Sequence, residues 1–361
     1  MQSVIKNSES GYEGNNAVCP VIYLAGEQDA SCWDRFVEIN ARACTYHRYG
    51  WRRVIEQQFG HETYYWIART DNDVVGVLPT VRLRSRLFGD FLVSLPYFTY
   101  GGAVATSGLV EQSLMTHACE QALSMGVSHV EFRDLQSREG WTNVRTDKVS
   151  MWLPLPSSVD EMWSSLKSER RNRIKKPQKE GATTVAGGLE LLDDFYSVFT
   201  RNMRDLGTPV YGRDFFEAMI REFPNDIVML STRYQGNPVA AALLMKHKTS
   251  MEIPWVSSVR DFNHLSFNIL LYWECLKTAI EAGKSTFDFG RSSVGSGTYT
   301  FKERWGAKPE ELYWHYWLGP GQKMPNLTPK NPKFQLAVKM WQKLPLPVAN
   351  RLGPHIVRNL P

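Results

Sequence analysis

The chain has 361 residues, of which 43% are hydrophobic, 22% charged and 12% aromatic, with a formal net charge of +5. That length exceeds a single small module and suits two domains, while the composition excludes disorder and collagen-like repeats. Five cysteines, an odd number with no C-x-x-C and no Cys/His cluster, support neither a disulfide framework nor a zinc site, so a reducing, cytoplasmic setting is expected. Met1 to Asn16 is polar and lacks the apolar core of a secretory signal. The uncharged stretch from Phe91 to Val110 carries Pro96, Gly101, Gly102 and several hydroxyls, which reads as strands and turns and not as an integral membrane segment.

In chain order, Tyr64 to Arg69 and Val74 to Arg82 read as strands joined by the turn Asp71-Asn72-Asp73. Phe91 to Tyr100 reads as a further extended segment, Leu109 to Met125 as a helix stopped by Gly126, and Val127 to Phe132 as a short strand. The second half repeats that order. Ile227 to Tyr234, Gln235-Gly236-Asn237 and Pro238 to Lys246 form strand, turn and strand, followed by extended Ser250 to Ser258. A helix from Phe267 to Ala282 then stops at Gly283, before the strand Lys284 to Phe289. Registering the two glycines puts Glu131-Phe132 on Asp288-Phe289. This order resembles the core of the acetyltransferase-like fold. The expected class is therefore α+β, a tandem pair of GNAT-like (acyl-CoA N-acyltransferase-like) units with mixed sheets flanked by helices.

Between the copies, Val159 to Glu180 predicts one helix that runs until Pro177, with Ser158 as its cap. From Leu166 to Gly181 there are seven Lys/Arg against Glu169 and Glu180, and from Leu312 to Pro361 seven Lys/Arg and no acid. Two basic regions on a mildly acidic body suit an anionic partner or a solvated face. A helix from Leu191 to Leu206, the loop Gly207 to Tyr211 and a helix from Arg213 to Glu222 follow. The expected domains are a first unit (1–155), a basic connecting helix (156–182), a second unit (183–318) and a basic tail (319–361) that packs back on the body.

Several catalytic signatures fail. Gly283-Lys284-Ser285 is preceded by a helix and lacks the first glycine of a phosphate loop, and there is no G-x-S-x-G, H-E-x-x-H or G-x-G-x-x-G after a strand. The Gln/Arg-x-x-Gly-x-Gly/Ala loop with which acyl-CoA enzymes of this fold hold pyrophosphate at a helix N-terminus is missing from both copies, which disfavours coenzyme A.

The most informative stretch runs from Phe287 to Gly306: a strand ends at Asp288-Phe289-Gly290-Arg291, a Ser/Gly-rich loop follows that presents Tyr299 to Lys302, and Gly306 leads into the final strand, Glu311 to Leu318. Its Gly297-Thr298-Tyr299-Thr300-Phe301-Lys302, together with Arg170 to Gly181 and Ser266-Phe267-Asn268-Ile269-Leu270-Leu271, resembles the FemAB family, which adds amino acids to the peptide of cell-wall precursors. Val210-Tyr211, Asp288-Phe289-Gly290-Arg291 and Pro345-Leu346-Pro347 make it look closest to the FemAB-related proteins that accompany exosortase (PEP-CTERM) systems. The resemblance implies an N-acyltransferase of cell-envelope or exopolysaccharide biosynthesis, with no permanently bound cofactor and a donor that is aminoacyl-tRNA or acyl-CoA. Its acceptor would be a small-molecule or lipid-linked saccharide or peptide. Lys302 would hold a donor phosphate or stabilise developing charge, and Asp288 would orient the attacking amine or pair with Arg291. Arg170, Arg173, Tyr211, Trp255, Asn268, Arg291, Tyr299 and Phe301 would contact substrate. Metal ligands are not implied.

Two features depart from that family: the long charged helical hairpin of some members is missing, and Glu303 beside Lys302 takes a place that is often basic. Two other readings stay open. One is acyl-CoA-dependent N-acylation of an amino sugar. The other is a non-catalytic scaffold that binds an anionic polymer or lipid-linked saccharide, for which the basic tail around Trp341 offers peripheral membrane contact at the inner face.

Overall fold

A computed structural model describes residues 20–86, 88–325 and 332–360; Met1–Asn16, read above as polar, lie outside the described residues. The chain opens with β1 (Val21–Leu24), α1 (Ala30–Ile39), α2 (Gly50–Phe59) and the hairpin β2 (Glu62–Thr70) and β3 (Asp73–Ser85). Next come β4 (Gly89–Val93), β5 (Val104–Ala105), α3 (Gly108–Met125), β6 (His129–Asp134), β7 (Val144–Arg145) and β8 (Lys148–Pro154). The middle of the chain supplies α4 (Val159–Ser165), α5 (Ser168–Lys179), β9 (Thr183–Gly187), α6 (Leu192–Leu206) and α7 (Arg213–Glu222). A second hairpin, β10 (Ile227–Tyr234) and β11 (Asn237–Lys246), leads to β12 (Ser250–Ser258), α8 (Phe267–Glu281) and β13 (Thr286–Ser293). The chain finishes with α9 (Gly297–Glu303), β14 (Lys308–Glu311), β15 (Tyr313–Leu318), α10 (Pro332–Trp341) and α11 (Leu346–Val357).

These elements build two mixed sheets, one in the order β1-β2-β3-β4-β6-β15-β7 with β5 on β3, the other in the order β14-β8-β13-β12-β11-β10-β9. The repeat seen in the sequence is a repeat in register. Each hairpin carries a bulge just before its turn, between Ala68 and Arg69 in one and between Thr232 and Arg233 in the other. The turns themselves match, with Asp71 at φ 54° and Gln235 at φ 50°. Each unit then has one parallel pair that parts after a few rungs: β4 and β6 after Val93 and Glu131, β12 and β13 after Glu252 and Asp288.

The sheets exchange strands across the boundaries expected at 155 and 318. β8 lies in the second sheet between β14 and β13, and β15 lies in the first sheet between β6 and β7. Both carry side chains fitted to the foreign sheet. Tyr316 of β15 donates to Glu131 of β6 at 2.6 Å, and Ser150 of β8 donates to Asp288 of β13 at 2.6 Å. The expected strand Glu311–Leu318 is thus two strands in two sheets, hinged at the buried Leu312.

Three further expectations change. The helix expected over Val159–Glu180 breaks at Leu166 and Lys167, both extended, where Arg171 donates to the Leu166 carbonyl. The segment Phe91–Tyr100 leaves the sheet after Val93, because Leu95 (φ 43°) and Tyr97 (φ 76°) turn the backbone left-handed. Gly297–Lys302 is not a loop but the helix α9, capped by the Ser296 hydroxyl, which accepts from Tyr299 N.

One core is shared by both units, joining Tyr46, Trp51, Phe91 and Phe98 to Phe195, Phe199, Phe215 and Leu243. A second lies under α8 on the opposite face of the second sheet and holds Phe287, Phe289, Leu271 and Trp305. Alternation along β12 and β13 therefore sends Met251 and Phe287 to one core, while Glu252 and Asp288 face the seam between the units. The tail lies on the body, where Trp341, Ala349, Gly353 and Val357 are buried and Tyr97 donates to the Arg358 carbonyl.

Candidate active site

The fork where β12 and β13 part is built around a chain of buried hydrogen bonds. Asp288 has no exposed surface; its Oδ1 accepts from Ser150 Oγ at 2.6 Å and from Gly290 N at 2.7 Å. Tyr100, from the first unit, stands 3.0 Å from Asp288 Oδ2 and 3.2 Å from Glu252 Oε2. A phenol has one proton to give, so both contacts are hydrogen bonds only while one of these carboxyls carries a proton and donates back. His247 Nε2 lies 3.1 Å from the same Glu252 oxygen, and Thr45 N donates to His247 Nδ1 at 3.2 Å. That pattern assigns the imidazole proton to Nε2, pointing at Glu252, and the shared proton to Asp288. Burial first, and the Glu252 charge second, raise the Asp288 carboxyl to about 6, so it takes that proton below neutral pH and is mostly ionised at pH 7.

Lys302 approaches the fork from the last turn of α9. Gly290, at φ 73°, allows β13 to bulge away from β8, and the carbonyls of Gly290 and Arg291 turn to accept from Lys302 Nζ at 2.9 and 3.0 Å. The amine is only 7% exposed, and burial lowers it to about 8 against the opposing pull of Asp288 and Glu252. An ammonium has three N–H donors, so the two carbonyls leave one for another partner. Phe301 and Tyr299, on the same helix, pack partly buried against the α8 core, with the Phe301 ring 5.0 Å from Tyr272.

Beyond the fork, Arg291 is exposed, and its guanidinium sits 4.8 Å from the centre of the Trp314 ring. Protein crowding, followed by the Arg133 charge, lowers it to about 10, which leaves it cationic at neutral pH. Tyr211 lies close enough to feel both arginines, and its ring is 6.0 Å from Trp255. The structure thus gathers Lys302, Asp288, Arg291, Tyr211 and Trp255 around one fork.

Arg170 and Arg173 lie elsewhere, in a cleft of about 990 Å³ shared with Lys167, Arg304 and Trp305. Arg170 is stacked 4.5 Å over Trp305, and burial followed by Arg173 lowers its pKa. Asn268, half-buried in the first turn of α8, joins neither group. Sequence reasoning missed Tyr100, Glu252, Ser150 and Trp314. Of these only Glu252 left a sign, as a lone acid inside the apolar strand Ser250–Ser258.

Residues 164–303 match the model of the acetyltransferase (GNAT) domain. This is an acyltransferase domain of the GNAT class. Among solved structures the chain is similar to FemX (TM-score 0.61, 14% identity, covering 81% of this chain and 96% of that one). It is also similar to the C-terminal domain (DUF2156) of a protein designated a lysylphosphatidylglycerol synthetase from Agrobacterium fabrum (TM-score 0.55, 13% identity, covering 81% and 92%). A third is a tandem GNAT protein from the clavulanic acid biosynthesis pathway (TM-score 0.50, 11% identity, covering 82% and 97%). At these identities the likeness concerns the fold, which is a tandem GNAT fold. No curated protein sequence matches the chain. Among the described residues no cluster of three or more His, Cys, Asp or Glu could hold a metal ion, and no helix is long and apolar enough to cross a membrane.

Proposed function

We propose that this protein transfers an acyl or aminoacyl group to an amine in the β12–β13 fork, as a FemAB-like N-acyltransferase of envelope or exopolysaccharide biosynthesis. The observation that carries the reading is the Lys302 amine, buried at the fork and oriented by two carbonyls with one N–H to spare. The attacking amine forms its C–N bond with the activated carbonyl, the bond to the thiol or ribose oxygen breaks, and the amine's proton leaves with that group. Lys302 serves the reaction as a preorganised cation for the oxyanion or the departing group. Asp288, without exposed surface, acts through Tyr100 and Gly290 as a positioning residue and does not touch substrate.

The 990 Å³ cleft at Arg170 and Arg173 suits an anionic stretch of donor or acceptor, with Trp305 as a flat wall. The family motifs at Val210-Tyr211 and Asp288–Arg291 support the finer link to exosortase systems. Contact with a membrane surface is supported by the exposed Leu336, Met340, Val348 and Leu352 beside Lys339, Lys343 and Arg351 on α10, α11 and the turn between them.

The test is direct. Purified protein is offered acyl-CoA and aminoacyl-tRNA in separate reactions, with amino-sugar and peptide amines as acceptors, and the products are weighed by mass spectrometry. A mass gain on an acceptor that depends on Lys302 supports the reading, and transfer unaffected by Lys302→Met would refute this site.

A further inference from the structure

β12 begins just after the turn His247-Lys248-Thr249, where it is still paired with β13, at the opposite end from the fork. Beside that turn lies a cleft of about 650 Å³, to which the first unit brings Arg35 and Arg48 and the second Lys246, Lys248 and Lys284. Three acids face it, Asp34, Glu38 and Asp226. Asp226 is engaged by Arg48 at 2.6 Å, Asp34 accepts from Tyr49 N at 2.7 Å, and the exposed Glu38 attracts Lys248 without pairing with it. Among the described residues Arg35 ion-pairs with nothing, and the three lysines hold carbonyls instead of carboxylates. Lys284 Nζ donates to His247 at 2.8 Å and to Lys248 at 2.9 Å, Lys246 Nζ to Asn225 at 3.0 Å, and Lys248 Nζ to Asn40.

Those bonds fix the ammoniums and leave donors over. An ammonium has three N–H groups; Lys284 gives two of them to carbonyls and Lys246 and Lys248 one each, so every lysine keeps at least one. None is sealed in: Lys246 and Lys284 are half-buried, and Lys248 and Arg35 are exposed. Burial first, and the Lys246 charge second, lower the Lys284 amine, so two cations are held close enough to repel. An anion in the cleft relieves that repulsion at groups already in place.

We propose that this cleft binds the phosphate groups of a phosphate-bearing ligand, at a site separate from the fork. Lysines act as compact point charges that suit phosphate, whereas a lone carboxylate is matched better by the planar fork of an arginine. Five cations against three acids, two of them engaged, favour an anion with more than one charge, such as a diphosphate. The inference stands whether or not the fork transfers acyl groups.

The full chain is treated with acetic anhydride at low salt, and acetylation of each lysine is read by peptide mass spectrometry. Pyrophosphate, inorganic phosphate and acetate are added in increasing amounts, as are vesicles of phosphatidylcholine and phosphatidic acid in equal parts. Expected is protection of Lys246, Lys248 and Lys284, strongest with pyrophosphate and weakest with acetate, while Lys277 on α8 stays unprotected. The midpoint of Lys246 protection should shift by about 10-fold or more in Lys284→Gln and in Lys248→Gln and keep its parental value in Lys277→Gln. Lys248 is exposed, so its variant decides the matter even if Lys284→Gln does not fold. Protection by soluble pyrophosphate marks a free or nucleotide-borne phosphate, and protection by vesicles alone a lipid headgroup. Four outcomes overturn the proposal: no probe protects the three lysines, protection is confined to Lys167 in the other cleft, acetate protects as well as pyrophosphate, or the folded variants keep the parental midpoint.

Discussion

Glu252 and Asp288 face each other on the last rung before β12 and β13 part, and one tyrosine hydroxyl from the other unit bridges both carboxyls. The bridge needs a proton on Asp288, which that carboxyl holds only below about pH 6, and this makes the fork sensitive to pH. A carboxyl whose folded pKa is raised above its unfolded value binds more protons in the folded chain, so its stabilisation is present at low pH and is lost as pH rises through about 6. Asp288→Asn mimics the protonated acid: Oδ1 still accepts from Ser150 and Gly290, and the amide donates to Tyr100. The variant should gain thermal stability on the parent by on the order of 1 to 3 kcal/mol between pH 4 and pH 8. Parallel melting curves across that range would remove the shared proton.

The turns Asp71-Asn72-Asp73 and Gln235-Gly236-Asn237 and the stops at Gly126 and Gly283 are local chemistry, so the tandem repeat could be read from the sequence alone. Strand exchange could not. β8 and β15 are short, and their partners are chosen by contacts such as Tyr316 with Glu131, 185 residues apart. Lys302, Asp288 and Arg291 were legible through their motif. Tyr100 was not, because it meets Asp288 across 188 residues and no local pattern marks a phenol that will bridge two acids. The helix α9 hid behind a glycine and two threonines, with only Ser296 to announce a cap.

The basic cleft makes a salt-dependent prediction. Lys167, Arg170, Arg173 and Arg304 line it together with Glu161, Glu169 and Glu303, so its field is positive but partly compensated. Replacing both Arg170 and Arg173 with Ser should weaken binding of pyrophosphate or RNA most at about 10 mM salt, where the Debye length is longest, and much less at 150 mM. A loss that is independent of salt would assign the arginines to packing on Trp305 instead.

Docking of the tail is tested at Gly353. A Cβ built there would stand 2.8 Å from Val210 N and 3.0 Å from Val210 O, both backbone atoms that cannot step aside cheaply. Gly353→Ala should therefore destabilise by about 1 to 3 kcal/mol, as overpacking does, and loosen α11 from the Tyr211 loop. Hydrogen exchange should rise in α11 and in residues 207–212 together. If only α11 responds, the tail does not brace the loop that presents Tyr211 to the fork.

Lys302 gives the sharpest test because its charge and its stem act differently. Lys302→Met keeps the stem in a position 7% exposed and removes the ammonium that two carbonyls hold. Turnover should fall by a factor of about 100 to 1,000, the cost of deleting one preorganised charge at a reacting centre. The amine is lowered to about 8, so in the parent the cation disappears as pH rises through that value and the rate should decline with it. Stability moves the other way. A lysine depressed by burial holds fewer protons folded than unfolded between about 8 and 10.5, so the parent gains stability with rising pH across that window while Lys302→Met does not. Rate profiles and melting curves from pH 6 to pH 10 on both proteins check these signs. An alkaline decline that survives in the variant would move the titrating group elsewhere, and a variant that melts far below the parent at every pH would make Lys302 a structural strut of α9.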